Sequence, residues 1–119
     1  MKAILLVSHG SRSAKTKEEI LATLDILRKQ VKAAIFEIAF LEIEPPNIPE
    51  GINICVSKGA TEVIVLLNFL NSGRHVNNDI PEIVRQASVK YPHVHISITT
   101  PVGQHPRIVD LFTDLIKNV

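Results

Sequence analysis

The sequence predicts an open α/β fold, a parallel four-stranded sheet ordered 2-1-3-4 with helices on both faces, and three observations predict it. Residues 3–7 (Ala-Ile-Leu-Leu-Val) and 63–67 (Val-Ile-Val-Leu-Leu) are unbroken aliphatic runs, the signature of strands buried on both sides. Residues 34–40 and 94–99 mix polar residues into the apolar pattern, as strands at the sheet edges do. Helical periodicity separates all four runs, and strands that alternate with helices pair in parallel through right-handed crossovers. The two apolar strands are then central and the two partly polar ones peripheral.

The helices follow from spacing. After Ser13, Ile20, Leu24, Leu27 and Val31 recur at three- and four-residue steps, predicting a helix over residues 14–31. Glu37 interrupts the second strand, so one side of it meets water. Pro45, Pro46 and Pro49 end that strand's ladder, and Pro49 suits a first helical position ahead of Ile52, Cys55 and Val56, with Gly59 as the stop. A polar loop spans residues 68–78. Asp79 and Pro81 then start a third helix with Ile80, Ile83, Val84 and Ala87 inward, which ends before Pro92. Val94, Ile96 and Ile98 alternate with His95, Ser97 and Thr99 in the fourth strand. Gly103 and Pro106 precede a last helix whose stripe, Ile108, Leu111, Phe112, Leu115, Ile116 and Val119, has the spacing of a face packed in a core more often than of an interface.

Length and composition limit what the chain does. With 119 residues it is expected to form one domain, residues 1–119, which buries roughly two-thirds of the surface its unfolded chain exposes. Hydrophobic residues make up 45% and aromatics only 4%, so the core is aliphatic. Thirteen basic and twelve acidic side chains leave a formal charge of +1, which provides no global field for nucleic acid or an anionic membrane. Cys55 is the only cysteine, which excludes an intrachain disulfide and a thiolate cluster and points to a reducing compartment. The first apolar run shows no signal-peptide cleavage site and reaches Ser8 and His9 too soon to span a bilayer, so the expectation is a cytoplasmic, non-membrane protein.

Ligands of open sheets bind beyond the carboxyl ends of the strands, where the strand order reverses. Here that crevice lies between strands one and three. His9 follows strand one, Glu42 strand two, His75 sits in the loop after strand three, and His105 follows strand four. Four separate segments thus bring titratable side chains to one rim. Two imidazoles and a carboxylate suit a borderline divalent ion with open coordination positions, and they equally suit proton transfer. The spacing is not a compact metal motif, and histidines that merely cap loops are the ordinary alternative. His93 and His95, two residues apart, are expected to be solvated on an edge.

The segments Leu6-Val7-Ser8-His9-Gly10-Ser11-Arg12, Phe40-Leu41-Glu42, Gly73-Arg74-His75-Val76-Asn77-Asn78-Asp79-Ile80-Pro81 and Pro101-Val102-Gly103-Gln104-His105-Pro106 resemble the short form of the CbiX and SirB sirohydrochlorin chelatase family. The match spans nearly the whole chain, and the Gly-Arg-His-x-x-x-Asp-Ile-Pro stretch is its most distinctive part. The resemblance implies an ATP-independent enzyme that inserts Co2+, Ni2+ or Fe2+ into sirohydrochlorin, on a route to cobalamin, coenzyme F430 or sirohaem, with cobalt favoured. It implies that His9 and His75 are the active-site histidines and metal ligands, and that Glu42 is their acidic partner. It also implies a symmetric homodimer. No permanently bound cofactor is expected, the divalent ion being a substrate.

Insertion removes two pyrrole protons and exchanges the ion's water for ring nitrogens, so weak ligands and proton acceptors must stand together. Neutral histidine serves as both. Arg12 and Arg74, each close in sequence to one of the two histidines, are candidate anchors for the ring's carboxylates, with Ser11, Asn78 and, in a secondary role, His105 as further pocket residues. Amides of residues 10–13 and of the helix beginning near Asp79 are further candidate donors. Two rivals belong to other classes. A carrier of the same fold would bind metal or tetrapyrrole without turnover. A histidine phosphatase would need an arginine immediately before its nucleophilic histidine, where Ser8 stands.

Overall fold

The computed structural model describes residues 1–119. Its elements in chain order are strand β1 (Lys2–Ser8), helix α1 (Ala14–Gln30), β2 (Ile35–Phe40), α2 (Ile48–Ser57), β3 (Glu62–Leu67), α3 (Ile80–Lys90), β4 (His95–Ile98) and α4 (Ile108–Lys117). The sheet order is β2-β1-β3-β4, all neighbours parallel, with the aliphatic strands β1 and β3 in the centre as predicted. The register aligns Ser8 with Phe40 and Val7 with Leu67, so the first three strands end at the same level.

Side-chain alternation sends the two faces of the sheet to different partners. On one face Ala3, Leu5, Val7, Ala39, Val63, Val65 and Leu67 join Ile48, Ile52 and Cys55 of α2 and Ile80 and Val84 of α3 in a cluster of 15 buried residues. Gly51 lets α2 approach closely, because a Cβ there would stand 2.8 Å from Ala39 Cβ and 3.0 Å from Leu5 Cδ1. On the other face Ile20 and Leu24 of α1 cover Ile4, Leu6, Phe36 and Phe40.

Local chemistry explains the element boundaries. Asn47 caps α2 in a reciprocal pair: its side chain accepts from the Glu50 amide at 2.8 Å, while its own amide donates to the Glu50 carboxylate at 2.8 Å. Pro49 therefore occupies the second helical position rather than the expected first. Glu37 interrupts β2 as the sequence suggests, and its carboxylate is taken up by Lys58 at 2.6 Å beyond the end of α2.

Two expectations are corrected. The polar stretch 68–78 is not wholly loop, since residues His75–Asp79 form a π-helical turn that runs directly into α3, closed by the Ile80 amide donating to the His75 carbonyl. The apolar stripe of α4 is not core. No residue of α4 is buried, and its main contact within the chain is the short 3-10 turn Val102–Gln104. That turn is pinned to the segment after β3, because the Gly103 amide donates to the Phe69 carbonyl at 3.0 Å and the Gln104 side chain to the Leu70 carbonyl at 3.0 Å, and the helix departs from there. No helix is long and apolar enough to cross a membrane.

Cys55 offers a check on the packing of α2. Burial, with a smaller contribution from nearby Glu37, pushes its thiol up to about 11 from an ordinary value of 9.0. Below that ordinary value both folded and unfolded chains keep the proton and the thiol is pH-neutral for stability. As pH rises from there toward the folded value, the unfolded chain ionises first, so stability is lost. Denaturation midpoints should fall across this alkaline window in the parent chain and fall less in Cys55→Ala. A midpoint that declines equally in both would show that the thiol is not responsible.

Candidate active site

The parallel register carries on past the strand ends and builds the rim. The Leu41 amide donates to the Ser8 carbonyl at 2.9 Å and the Glu42 amide to the His9 carbonyl at 3.1 Å, so the chain after β2 stays alongside the chain after β1. Glu42 is thereby delivered to His9, whose Nε2 lies 3.0 Å from Glu42 Oε1. Gly10 makes the approach possible. Its φ is +111°, and a Cβ would sit 2.0 Å from the Glu42 carbonyl oxygen. Ile43, directly after Glu42, takes φ +75°, an uncommon conformation for a β-branched side chain, at the same bend. Glu44 then reaches back and accepts from the Ser11 amide at 2.8 Å, locking the two loops together.

The other half of the rim comes from β3. Asn68 follows its last residue, donates its side-chain amide to the buried Ser8 hydroxyl at 3.1 Å and its backbone amide to the Val7 carbonyl at 2.9 Å. The π-helical turn then raises His75. Its Nδ1 lies 2.7 Å from Asp79 Oδ2, four residues on, and a proton held there leaves the Nε2 lone pair free. The rings of His9 and His75 stand nearly edge to face, centroids 6.3 Å apart. All four side chains are about half exposed, so a large ligand can reach them.

The result is two histidine–carboxylate pairs facing one another, His9 with Glu42 and His75 with Asp79. No group of three or more His, Cys, Asp or Glu side chains in this structure is arranged to hold a metal ion. His93 and His95 likewise belong to no such group. Each pair is too exposed to add more than ~1 kcal/mol to stability, so its consequence is the orientation of the imidazole. Beside His9 opens a cavity of about 440 Å³ walled by Ser8, Gly10, Thr16, Glu19, Thr23 and Asn68, among others, and His75 is not one of its walls.

The remaining candidates are dispersed. Arg12 borders a separate hollow with Ser13, Lys17 and Ile43. Ser11 spends its hydroxyl oxygen on the Ser13 amide at 3.0 Å. Arg74 directly precedes the π-helical turn and Asn78 lies within it, both exposed. His105 accepts the Arg107 amide on Nδ1 at 3.1 Å and borders a third hollow with Val102, Ile108 and Leu111, so it organises the start of α4. Asp79 and Asn68 are additions to the sequence reading. Asp79 was visible as a carboxylate four residues after His75, but an ordinary helix start at that position hides the pairing.

The family model for CbiX matches residues 3–119. The chain belongs to the CbiX family. It is 35% identical over 118 residues to the sirohydrochlorin ferrochelatase of Bacillus subtilis (strain 168), covering 99% of this chain and 45% of that one. It is 32% identical over 130 residues to the sirohydrochlorin cobaltochelatase of Methanothermobacter thermautotrophicus, covering 97% of this chain and 90% of the other. Among solved structures, the sirohydrochlorin chelatase SirB from Bacillus subtilis subspecies spizizenii in complex with cobalt superposes with a TM-score of 0.87 at 36% identity, over 99% of this chain and 50% of that one. This CbiX-family chain thus spans about half the length of the Bacillus relative and nearly the full length of the archaeal one.

Two outcomes test the rim. Gly10→Ala should lower stability by ~1–3 kcal/mol, since it places a side chain both at positive φ and against the Glu42 carbonyl; an unchanged denaturation curve would contradict the tight apposition. Asp79→Ala should convert the His75 ring from one dominant tautomer to a mixture, read from its nitrogen chemical shifts, with His9 unaffected. A ring already mixed in the parent chain would remove Asp79 as its orienting partner.

Proposed function

We propose that the chain, acting as one CbiX-like domain of residues 1–119, is a sirohydrochlorin chelatase that inserts a divalent ion, Co2+, Ni2+ or Fe2+, without ATP. The observation that carries this reading is the pair of imidazoles 6.3 Å apart, each beside its own carboxylate, on an open rim. Insertion needs two proton acceptors and ligands that release the ion, and two neutral histidines with separate carboxylate partners match both needs. A site rich in thiolate would hold the ion instead of delivering it. Both ferrochelatase and cobaltochelatase relatives support the reaction class, and cobalt remains the favoured ion in our reading.

In this mechanism His9 and His75 meet the incoming ion and accept the pyrrole protons. Glu42 balances the charge that forms on His9 and passes its proton to solvent. Asp79 does the same for His75, a role its 2.7 Å contact supports. Arg12 and Arg74 anchor the ring's carboxylates as bidentate donors, Ser11 and Asn78 add polar contacts, and His105 has a secondary place near α4. The ion is a substrate and no cofactor is bound permanently. The enzyme works in the cytoplasm as a homodimer, with sirohydrochlorin or a related tetrapyrrole as its organic substrate.

The test is anaerobic incubation with sirohydrochlorin and, separately, Co2+, Ni2+ and Fe2+, following the visible spectrum over many turnovers. Multiple turnovers are expected, and a single stoichiometric change would instead indicate a metal or tetrapyrrole carrier. His75→Ala should lose at least ~100-fold in rate with an unchanged far-ultraviolet circular dichroism spectrum, because an exposed rim side chain supports little core. Retained turnover in that variant would remove the histidine from the mechanism.

A further inference from the structure

One carboxylate beside His9 is left out of the mechanism above. Glu19 of α1 takes part in none of the ion pairs of the chain, yet it belongs to the wall of the cavity of about 440 Å³ next to that histidine. The spacing of the helix puts it there. Thr16, Glu19 and Thr23 recur at steps of three and four residues and so share one stripe of α1, alongside the face whose Ile20 and Leu24 cover the sheet. The sheet side of the wall is Ser8 at the end of β1, Gly10, and Asn68 after β3. Ser8 is the one buried polar residue of the chain, 5% exposed.

The hydrogen bonds these residues already make decide what suits the cavity. Thr23 gives its hydroxyl proton to the Glu19 backbone carbonyl at 3.1 Å, so its oxygen is left to accept. Asn68 gives its side-chain amide to the Ser8 hydroxyl at 3.1 Å and keeps its carbonyl oxygen, while the Ser8 oxygen keeps a second lone pair. The Glu19 carboxylate only accepts. No lysine or arginine lines the cavity. Acceptor oxygens gathered around a single negative charge call for an occupant that is positive and rich in donors, and an acetate or propionate arm is neither. Another side of the same helix has the opposite sign, because Arg12 and Lys17 outnumber Glu44 around a hollow of about 410 Å³.

We propose that the cavity beside His9 is a holding site for a hydrated divalent cation, with Glu19 as its charged anchor and the oxygens of Ser8, Thr23 and Asn68 accepting hydrogen bonds from its water. The proposal rests on the chelatase reading for the use of the ion, and adds where the ion waits. Size agrees, since six waters at ~2.1 Å from the metal make a particle ~7 Å across, of ~180 Å³, which the cavity admits with room to leave. Ligand number agrees as well. Glu19 and His9 are the only carboxylate and imidazole in the wall, and no third such group joins them, so the ion keeps its water and is held without being captured. His9 belongs to this wall and also pairs with Glu42 on the rim, so an ion waiting here already stands beside one of the two imidazoles. His75 is outside the wall, which separates the holding site from the place where both histidines meet the ion.

Hexaamminecobalt(III), whose ammines do not exchange, mimics a hydrated ion that binds only through its outer donors. It is titrated into the nitrogen-15-labelled full-length chain at low ionic strength, where such contacts are least screened. Saturable amide shifts are expected at Thr16, Glu19, Thr23 and Asn68, with an apparent affinity at least several-fold weaker in Glu19→Gln and an unchanged circular dichroism spectrum. Shifts confined to Glu42 and Asp79, or equal affinity in the variant, overturn the proposal. In turnover with Co2+ and sirohydrochlorin, Glu19→Gln should raise the half-saturating Co2+ concentration at least several-fold and leave that for sirohydrochlorin where it was. A variant that instead tightens only on sirohydrochlorin shows that a ring carboxylate enters the cavity, and also overturns it. The two readings fail separately: a parent chain that binds the probe at Glu19 without turnover removes the chelatase reading and leaves the cation site standing, whereas turnover without probe binding does the reverse.

Discussion

The molecule depends on β1 being held on both sides in register. Its ladder to β2 aligns Ser8 with Phe40, and its ladder to β3 aligns Val7 with Leu67. Because both neighbours run parallel to it, three strands end together and release three loops on one rim. His9 meets Glu42 only because the hydrogen bonding of that ladder continues for two further residues, and Asn68 reaches Ser8 for the same reason on the other side. A slip of one residue would turn the alternating side chains to the wrong faces and separate the histidine from its carboxylate.

Rigidity and reactivity are thereby divided between layers. Below the rim, Ala3, Leu5, Val7, Val63 and Val65 are fully buried aliphatic residues that tolerate little movement. Above it, the titratable groups are half exposed and joined in pairs whose geometry comes from the backbone beneath. The proposed chelation suits such an arrangement, because a large flat macrocycle could reach the half-exposed imidazoles from solvent. Two oriented bases on a firm base plate need no lid to stand at a fixed separation.

The fold was legible because each strand announces its environment. Continuous aliphatic runs place β1 and β3 in the centre, while Glu37 and the alternation from Val94 to Thr99 mark the edges, and the helices alternate between them. His9, Glu42 and His75 were legible from their positions just past strand ends. Asp79 was not, because a carboxylate and a proline near a helix start have a sufficient explanation in capping, and a widened turn leaves no periodicity of its own in five residues. The fate of α4 was not legible for a different reason. An apolar stripe has the same spacing whether its face is packed against the sheet of its own chain or, as in α4, left exposed by it. Only the path of the connector, a tertiary property, separates the two.

The widened turn ahead of α3 carries a consequence of its own. In regular winding each residue advances the helix by about 100°, so the direction of a side chain at the start is tied to the phase of everything that follows. α3 must keep Ile80 and Val84 toward the sheet, and that requirement alone would dictate where His75 points. One surplus residue between them breaks the tie, letting the hydrophobic face and the imidazole be aimed separately. Losing a single residue within 75–79 would leave a well-formed helix, an unaltered core, and a histidine swung about a quarter of a circle away from its counterpart.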